Sequence, residues 1–323
     1  MRKLFYGISV VAMVLGMVAC DDSVSSANNE NADKESSSSV ISEDASSSSV
    51  KPGSSSSDKI DSSSSVKPSS SSSDLDVKPG SSSSKNDDPK SSSSRGLFDV
   101  TKDEFLNPEI TYGTMTDKRD NKTYKTVKIG DQVWMAENLN YADSTKMPSL
   151  KGKSWCYENA ADSCAKYGRL YTWAAAIDSV ALANDADNPQ TCGYGKTCTL
   201  PTVVQGVCPS GWHLPTYDEW QTLFKAVGGS SAAGKALKSG SGWSGNGNGT
   251  DAYGFSALPA GNRSYNGYFN YAGSYALFWS ASQYENYSDC AYYMYLGYSL
   301  EDAYMGYYDK DYGNSVRCLQ NSN

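Results

Sequence analysis

The chain has very little histidine and no closely spaced cysteine pair. Among its 323 residues His213 is the single histidine, and no two of the eight cysteines are arranged as C-x-x-C. A site with several histidine ligands is therefore excluded within this chain, and structural zinc is a weak interpretation. His213, between Trp212 and Leu214, is better interpreted as a packed structural residue than as a general base. We expect no catalytic residue and no resident metal.

An excess of basic residues is also missing. The chain contains 28 Lys and Arg residues against 36 Asp and Glu residues, which gives a formal net charge of −8 at pH 7. Nucleic-acid binding depends on neutralising phosphate groups with lysine and arginine side chains. We therefore expect no nucleic-acid partner.

A hydrophobic run long enough to remain in a bilayer is missing as well. The apolar run at residues 4–19 follows the basic pair Arg2 and Lys3. It is shorter than the run of about 20 residues that spans a membrane comfortably. A basic start followed by a short apolar run is typical of an export signal. The sequence therefore predicts a signal peptide over residues 1–20.

The end of this run resembles a bacterial lipoprotein processing site. Small Ala19 precedes Cys20, and Asp21 and Asp22 follow it. The resemblance implies that Cys20 becomes the lipidated first residue of the mature protein and anchors it to a membrane. We expect a location in the cell envelope, at the outer membrane or the cell surface. An ordinary cleaved signal with an incidental cysteine is the alternative.

Residues 21–95 lack aromatic side chains and are dominated by serine. Seven runs of four or five serines alternate with short charged or Lys-Pro spacers. Too few apolar side chains are present to offset the entropy cost of ordering this segment. We expect a disordered linker that holds the folded part away from the membrane. A glycosylated stalk is the alternative interpretation and would serve the same spacing role.

Residues 96–323 contain what a folded domain needs, with a core at about residues 110–320. This part holds all seven Trp residues and seven of the eight Cys residues. It is long enough to bury one sizeable hydrophobic core. An exported chain reaches an oxidising compartment, which makes disulfides the default interpretation of its cysteines.

The cysteine spacing predicts three disulfides. Two pairs enclose short polar loops and can close locally, a third pair remains for a long-range bridge, and one sulfur is left over. In that order, the cysteines are Cys156 with Cys164, Cys192 with Cys198, Cys208 with Cys318, and a free thiol at Cys290. The long-range bridge would constrain the unfolded chain by about 4–5 kcal/mol in the chain-entropy account.

Residue periodicity predicts two helices and several short strands. Thr216 and Glu219 form a capping-box pattern at the start of one helix, which ends before Gly228. A second helix is predicted over about residues 165–183. Short strands are predicted around residues 127–135, and many glycine and asparagine breaks follow residue 239. We therefore expect an α+β domain with two helices and a loop-rich β part.

Six motifs occur in a fixed order along this part of the chain. They are VKIGDQVWMAENLN at 127–140, YGRLYTW at 167–173, CPSGWHLP at 208–215, LPAGNR at 258–263, FWS at 278–280 and SVRC at 315–318. Together they resemble the Fibrobacter succinogenes major paralogous domain over about residues 110–320. That family is similar to formylglycine-generating enzymes and C-type-lectin-like domains. The resemblance implies two helices against a twisted, mostly antiparallel sheet with long loops.

The relation to formylglycine-generating enzymes implies an alternative function, an oxidase that uses cysteine thiols and copper. Those enzymes hold copper with a close cysteine pair, and Cys192 and Cys198 occupy a comparable place before the 214–216 segment. The glycines and the lysine between the two cysteines indicate an exposed loop, which favours a structural disulfide. We therefore expect a domain that is not an enzyme.

The relation to C-type lectins implies calcium-dependent sugar binding as a further possibility. Asn246, Asn248 and Asp251 offer oxygen ligands for Ca²⁺ on one glycine-rich loop. The Glu-Pro-Asn and Gln-Pro-Asp tripeptides of such lectins do not occur in this sequence. A flexible surface loop is the preferred interpretation, because the glycine spacing is typical of turns.

Tyrosine is the most abundant aromatic residue, and 15 of the 24 tyrosines lie between residues 251 and 312. Neighbouring residues of a strand point to opposite faces, so a Tyr-Tyr pair places one ring on each face. Tyrosine suits stacking on sugars and docking of proteins, although a tyrosine-rich core is an equal alternative. We predict a surface-displayed binding module for polysaccharide or another surface protein. The candidate ligand-binding residues are Tyr292, Tyr293, Tyr295, Tyr304, Tyr307 and Tyr308.

Overall fold

The computed structural model describes residues 102–322. Within this range the chain forms twelve β-strands and five short α-helices. The strands are β1 (Gly113–Asp117), β2 (Lys122–Ile129), β3 (Gln132–Met135), β4 (Ser154–Trp155), β5 (Leu170–Tyr171), β6 (Trp212–His213), β7 (Ala260–Arg263), β8 (Phe269–Ala272), β9 (Tyr275–Gln283), β10 (Cys290–Gly297), β11 (Ala303–Asp309) and β12 (Leu319–Gln320). The helices are α1 (Ala161–Tyr167), α2 (Trp173–Ala176), α3 (Ser179–Ala183), α4 (Tyr217–Ala226) and α5 (Ser230–Leu237).

The larger sheet has five strands in the order β1-β2-β3-β12-β6, and all its neighbours are antiparallel. The expected strands near residues 127–135 are confirmed as the end of β2 and the whole of β3. Gly130 makes the turn between them at a φ of 60°, a left-handed conformation that glycine adopts without strain. Leu319 in β12 pairs with Trp134 on one side and His213 on the other, so the C-terminal strand completes this sheet.

The second sheet has three antiparallel strands in the order β11-β10-β9. Smaller two-stranded pairs, β4 with β5 and β7 with β8, are also antiparallel. Short helices combined with antiparallel sheets confirm the mixed α and β architecture that the sequence predicts.

Helix α4 is confirmed at the predicted place. The side chain of Thr216 accepts a hydrogen bond from the backbone N–H of Glu219, and the carboxylate of Glu219 accepts one from the backbone N–H of Thr216. Trp220, Leu223 and Phe224 are buried on one side of the helix. Helices α4 and α5 pack together on one face of the three-stranded sheet. Burial of that apolar stripe is what holds both helices in place.

The second predicted helix, over residues 165–183, is wrong. This segment instead forms α1, β5, α2 and α3 in succession. Gly168 ends α1 at a φ of 71°, and a Cβ there would lie 2.8 Å from the carbonyl oxygen of Leu139. Thr172 caps α2, and Asp178 caps α3 from a left-handed φ of 54°. These left-handed residues and caps interrupt a pattern whose apolar spacing alone resembles one helix.

The core lies on both sides of the three-stranded sheet. One cluster joins α4 and α5 to the sheet through buried side chains such as Trp220 and Phe278, and the other contains Trp173 and Trp279. Arg317 is fully buried at the first cluster and donates to the backbone oxygens of Phe255 and Ser256. Within residues 102–322, none of the helices is long and apolar enough to cross a membrane.

The three disulfides form with the expected partners. They are Cys156–Cys164, Cys192–Cys198 and Cys208–Cys318. Cys290 is buried, and residues 102–322 contain no free cysteine, so the expectation of a free thiol at this position is wrong. That expectation rested only on the odd number of cysteines after residue 95, which gives no information on the surroundings of any one sulfur. The predicted signal peptide, the lipidation at Cys20 and the predicted linker lie outside the described residues.

Candidate functional site

The six candidate tyrosines lie on β10 and β11, and strand alternation divides them between the two faces of the sheet. Four of them share one face. These are Tyr293, Tyr295, Tyr304 and Tyr308. Tyr292 and Tyr307 are directly paired across the strands and point to the opposite face, where α4 begins. The prediction that each Tyr-Tyr pair places one ring on each side is confirmed.

The face opposite the helices carries eight tyrosines, which we call the tyrosine face. Its members are Tyr265, Tyr271, Tyr275, Tyr293, Tyr295, Tyr304, Tyr308 and Tyr312. Each ring contacts another ring of the set, with centroid separations from 4.2 Å to 6.4 Å. Most of these contacts are tilted or edge-to-face, the arrangements that aromatic pairs prefer. The eight rings therefore form one connected aromatic surface.

The exposed fraction of the tyrosine rings differs between the middle and the margins of the tyrosine face. Tyr293 and Tyr295 are 5% and 9% exposed and form its floor, because the rings of Tyr308 and Tyr304 pack against them. At the margins, Tyr271 is 45% exposed. Half-buried rings lie between, so the face offers accessible ring surface at its margins on a packed aromatic base.

Burial affects the pKa of the tyrosines at the base of this face. Burial raises the pKa of Tyr293 and of Tyr295 well above the usual value of 10, and the neighbouring rings add to the effect. Burial likewise raises the pKa of Tyr304, and the charge of Asp302 raises it further. Neutral phenols can both donate and accept hydrogen bonds. The tyrosine face therefore offers uncharged hydroxyls beside apolar ring surface.

Tyr271 has a strained backbone. Its φ of 66° lies in the left-handed region, which costs an L-residue with a bulky side chain about 1–2 kcal/mol. The facing strand accommodates this bend through Gly261, where a Cβ would lie 2.2 Å from the carbonyl oxygen of Asn270. Such strain persists only where the surrounding structure enforces it, and in this conformation the exposed ring of Tyr271 contacts the ring of Tyr275.

The hairpin of β7 and β8 adds further aromatic surface next to Tyr265. The guanidinium of Arg263 stacks 4.0 Å from the ring centre of Trp155, and the ring of Phe269 lies on the same guanidinium at 5.8 Å. Tyr268, in the turn of the hairpin, is 70% exposed. Planar stacking of arginine on tryptophan fixes both groups at low entropy cost.

Sequence reasoning found half of the tyrosine face and missed the other half. Tyr265, Tyr271, Tyr275 and Tyr312 stand alone in the sequence, at turns or strand ends, and only the fold brings them to the rings of β10 and β11. A signal was present in the high density of tyrosine between residues 251 and 312, but it does not assign individual rings to a face.

The other two candidates belong to a separate group near the start of α4. Tyr307 stacks in parallel on Tyr284 at 3.9 Å, and Tyr292 contacts both Tyr284 and Tyr217 edge-on. The hydroxyl of Tyr292 donates to the carboxylate of Glu285 at 3.2 Å. The six candidates therefore do not form a single site.

His213 is hydrogen-bonded through both of its ring nitrogens. Its Nε2 lies 2.9 Å from a carboxylate oxygen of Glu219, and its Nδ1 lies 2.7 Å from the side-chain oxygen of Asn321. Burial lowers the pKa of His213, but the hydrogen bonds to Glu219 and Asn321 outweigh burial, and the net shift is upward. Because Glu219 also caps α4, the histidine connects β6 to that helix.

The residues considered for metal binding are not gathered into a metal site. Asp251 is buried, and its carboxylate accepts hydrogen bonds from the N–H and hydroxyl of Ser256. Burial raises its pKa to about 6, although these bonds and Arg317 oppose the shift. Asn248 accepts a hydrogen bond from the backbone of Trp243 instead. Within residues 102–322 no group of three His, Cys, Asp or Glu side chains has an arrangement suited to a metal ion.

Comparison with known proteins places the chain in a family. Neither a curated protein sequence nor a solved structure matches it. Residues 127–320 match the family described as the Fibrobacter succinogenes major domain. These residues include all six sequence motifs and the whole tyrosine face. Because the match covers more than half of the 323 residues, the chain belongs to the Fibrobacter succinogenes major domain family.

Proposed function

We propose that this protein is a non-catalytic binding module of the cell envelope that binds polysaccharide on its tyrosine face. The observation that carries the proposal is the connected surface of eight tyrosines, with buried rings at its base and exposed rings at its margins. Sugar rings have apolar faces that stack on aromatic rings, and hydroxyls that exchange hydrogen bonds with phenols. An extended surface of this kind suits a polymer better than a small molecule.

The proposed location follows from the sequence. A signal peptide over residues 1–20, a lipid on Cys20 and the serine-rich linker would display the folded part outside the cytoplasm. Replacement of Cys20 with Ser should move the protein from the membrane fraction to the soluble fraction. Unchanged membrane retention of Cys20→Ser would contradict the lipid anchor without affecting the binding proposal.

The oxidase alternative has less support. Thiol chemistry at Cys192 and Cys198 requires free sulfurs, and these two cysteines are joined in a disulfide. The fold proposed from the resemblance, a C-type-lectin-like domain, is compatible with a binding function, but a fold alone does not determine function. We therefore rest the proposal on the tyrosine face.

Retention on insoluble polysaccharide tests the proposed function. Full-length protein is mixed with insoluble cellulose, insoluble xylan and isolated cell envelopes, and the bound fraction is measured after sedimentation. We expect retention on at least one of these materials, and a loss of about tenfold in affinity for Tyr271→Ala combined with Tyr275→Ala. Tyr253, which is 37% exposed and lies outside the tyrosine face, provides the matched control Tyr253→Ala.

Three outcomes would contradict the proposal. The first is the absence of retention on all three materials. The second is retention that the Tyr271 and Tyr275 substitutions leave unchanged. Retention on envelopes alone that survives removal of polysaccharide would identify a surface protein as the partner and would also contradict the polysaccharide proposal.

A further inference from the structure

A groove of about 350 Å³ lies apart from the tyrosine face. Two segments that are distant in sequence form its sides. One is the stretch at residues 197–204, which begins inside the Cys192–Cys198 disulfide loop, and the other is the end of β9 with the residues after it, 281–285. This volume falls at the lower end of the range of about 300–1,000 Å³ that small-molecule sites occupy.

A buried ammonium group fastens the two sides together. Lys310 is fully buried, and its Nζ donates to the backbone oxygen of Lys196 at 2.9 Å and to that of Ser288 at 2.7 Å. A third bond, at 3.0 Å, goes to the side-chain oxygen of Gln283. The three donors of the ammonium group thus reach the disulfide loop, the turn after β9 and β9 itself.

Gln283 completes the connection. Its side-chain amide donates to the backbone oxygen of Cys198 at 2.6 Å, and its oxygen accepts from the backbone N–H of Cys198 at 3.3 Å. The Nζ of Lys310 also lies 4.6 Å from the ring centre of Trp173. The start of the loop that forms one side of the groove is therefore held at a fixed position against the end of β9.

The free-energy cost of burying this ammonium group indicates that the groove is a specific feature of the fold. Burial of a charged group costs several kcal/mol unless hydrogen bonds and neighbouring dipoles compensate. Burial lowers the pKa of Lys310 to about 8, so the group remains mostly charged at pH 7. No strand pairing depends on its side chain, since all three acceptors belong to loops or to Gln283 at the strand end. The buried ammonium group of Lys310 instead fixes the shape of the groove.

The lining indicates the class of ligand. Leu200, Pro201 and Val204 provide apolar surface on one side. Tyr284 and Glu285 lie on the other side, and Glu285 is exposed, so its carboxylate can accept hydrogen bonds from a ligand. Glu285 is the one charged side chain in the lining, and the buried ammonium of Lys310, which is bonded to the lining residue Gln283, has the opposite sign. The combination suits a neutral ligand with an apolar face and several hydroxyls.

We propose that this groove is a second binding site, which takes one or two units of a neutral sugar. The carboxylate of Glu285 accepts bonds from sugar hydroxyls, and the apolar side chains together with Tyr284 cover a face of the sugar ring. Lys310 acts as a positioning residue, because it holds both sides of the groove without lining it. The inference goes beyond the polysaccharide-binding proposal, since it concerns a different surface and a small ligand.

Isothermal titration of the full chain with glucose, xylose, cellobiose and xylobiose tests this site. We expect saturable binding of at least one of these probes by the unmodified protein. Thr197→Trp, which places a large ring at the groove, should weaken that binding at least tenfold. Thr199→Trp is the matched control, because Thr199 is exposed on the same loop and does not line the groove.

A second pair of variants tests the chemistry. Glu285→Gln keeps the size of the side chain but weakens its acceptors, and we expect about tenfold weaker binding. Glu301→Gln changes an exposed glutamate elsewhere and should leave binding within twofold. Lys310→Met should weaken binding as well, and it should speed amide hydrogen exchange at residues 192–204 without changing exchange in β2 and β3. The tryptophan variant decides the question even if Lys310→Met fails to fold.

Three results would overturn the inference. These are no binding of any of the four sugars, binding that Thr197→Trp leaves unchanged, and binding that disappears in the Tyr271 and Tyr275 variant instead. Retention on insoluble polymer is measured on the same proteins. A failure of this site would leave polymer retention intact, whereas a failure of the polysaccharide proposal would leave soluble-sugar binding intact.

Discussion

The two faces of the three-stranded sheet have opposite chemistry although the same strands form them. The face toward α4 and α5 carries small and apolar side chains. They are Ala276, Phe278, Met294, Leu296, Ala303 and Met305. The other side carries the tyrosine face, several rings of which are half-buried or exposed, whereas Tyr292 and Tyr307 lie on the helix side near the start of α4. The comparison indicates that one face is used to bury the helices, while the other leaves aromatic and polar surface accessible.

The largest expected effect is on the helix face. Phe278 is fully buried and lies 6.0 Å from the ring of Trp220 and 6.1 Å from that of Phe255. Phe278→Ala should lower the free energy of unfolding by about 3–5 kcal/mol, because it removes apolar contacts and leaves a cavity. Denaturant unfolding followed by tryptophan fluorescence measures the change.

Tyr304→Ala on the opposite face gives the matched comparison. Tyr304 is only half-buried, so its loss should cost about 1 kcal/mol. Equal losses of stability in the two variants would contradict the division of roles between the faces. The division would gain support from a large loss for Phe278→Ala and a small one for Tyr304→Ala.

A smaller effect, which depends on pH, is expected where β6 meets α4. Burial alone would lower the pKa of His213 and raise the pKa of Glu219. The hydrogen bond between the two side chains, together with their bonds to other partners, outweighs burial. In the folded protein the pKa of His213 is therefore raised and the pKa of Glu219 is lowered. The histidine contribution is fully present below its unfolded pKa of about 6.5 and is lost as the pH rises through its higher folded pKa. The glutamate contribution is present above about 4.5 and is lost on acidification.

The stability difference between the wild type and His213→Gln should therefore be greatest near pH 5.5. We expect about 1–2 kcal/mol there, because a hydrogen bond between charged partners is replaced by a neutral one. The difference should shrink steadily toward pH 9. Denaturant unfolding at pH 5.5, 7 and 9 measures it, and a difference that does not vary with pH would show that the histidine is never charged in the folded state.

The same comparison explains which parts of the fold were predictable. Helix α4 follows from the sequence because its signals are local: a capping box at Thr216 and Glu219, an apolar stripe and a glycine stop. The helix predicted over residues 165–183 fails because Gly168 and Asp178 adopt left-handed conformations that tertiary contacts impose. Apolar spacing does not contain that information.

The candidate site was predictable to the extent that strand alternation determines it. Alternation separates Tyr292 from Tyr293, but it does not reveal that Trp279 and the neighbouring core cover one end of a face and leave the other open. Lys310 gave no signal, since Asp309-Lys310-Asp311 has the pattern of a solvated charged turn. Its burial depends on carbonyl groups that the disulfide loop and the turn after β9 bring close.

The smallest expected change in stability concerns a single hydroxyl group of the tyrosine face. Tyr304→Phe keeps the ring that contacts Tyr295 at 4.7 Å and removes only the phenol oxygen. The free energy of unfolding should change by less than about 1 kcal/mol, since water can replace a partner at a half-buried position. Retention on insoluble polysaccharide should nevertheless fall by about threefold to tenfold, because one hydrogen bond to the sugar is lost. Unchanged retention would mean that the rings alone, and not their hydroxyls, bind the polymer.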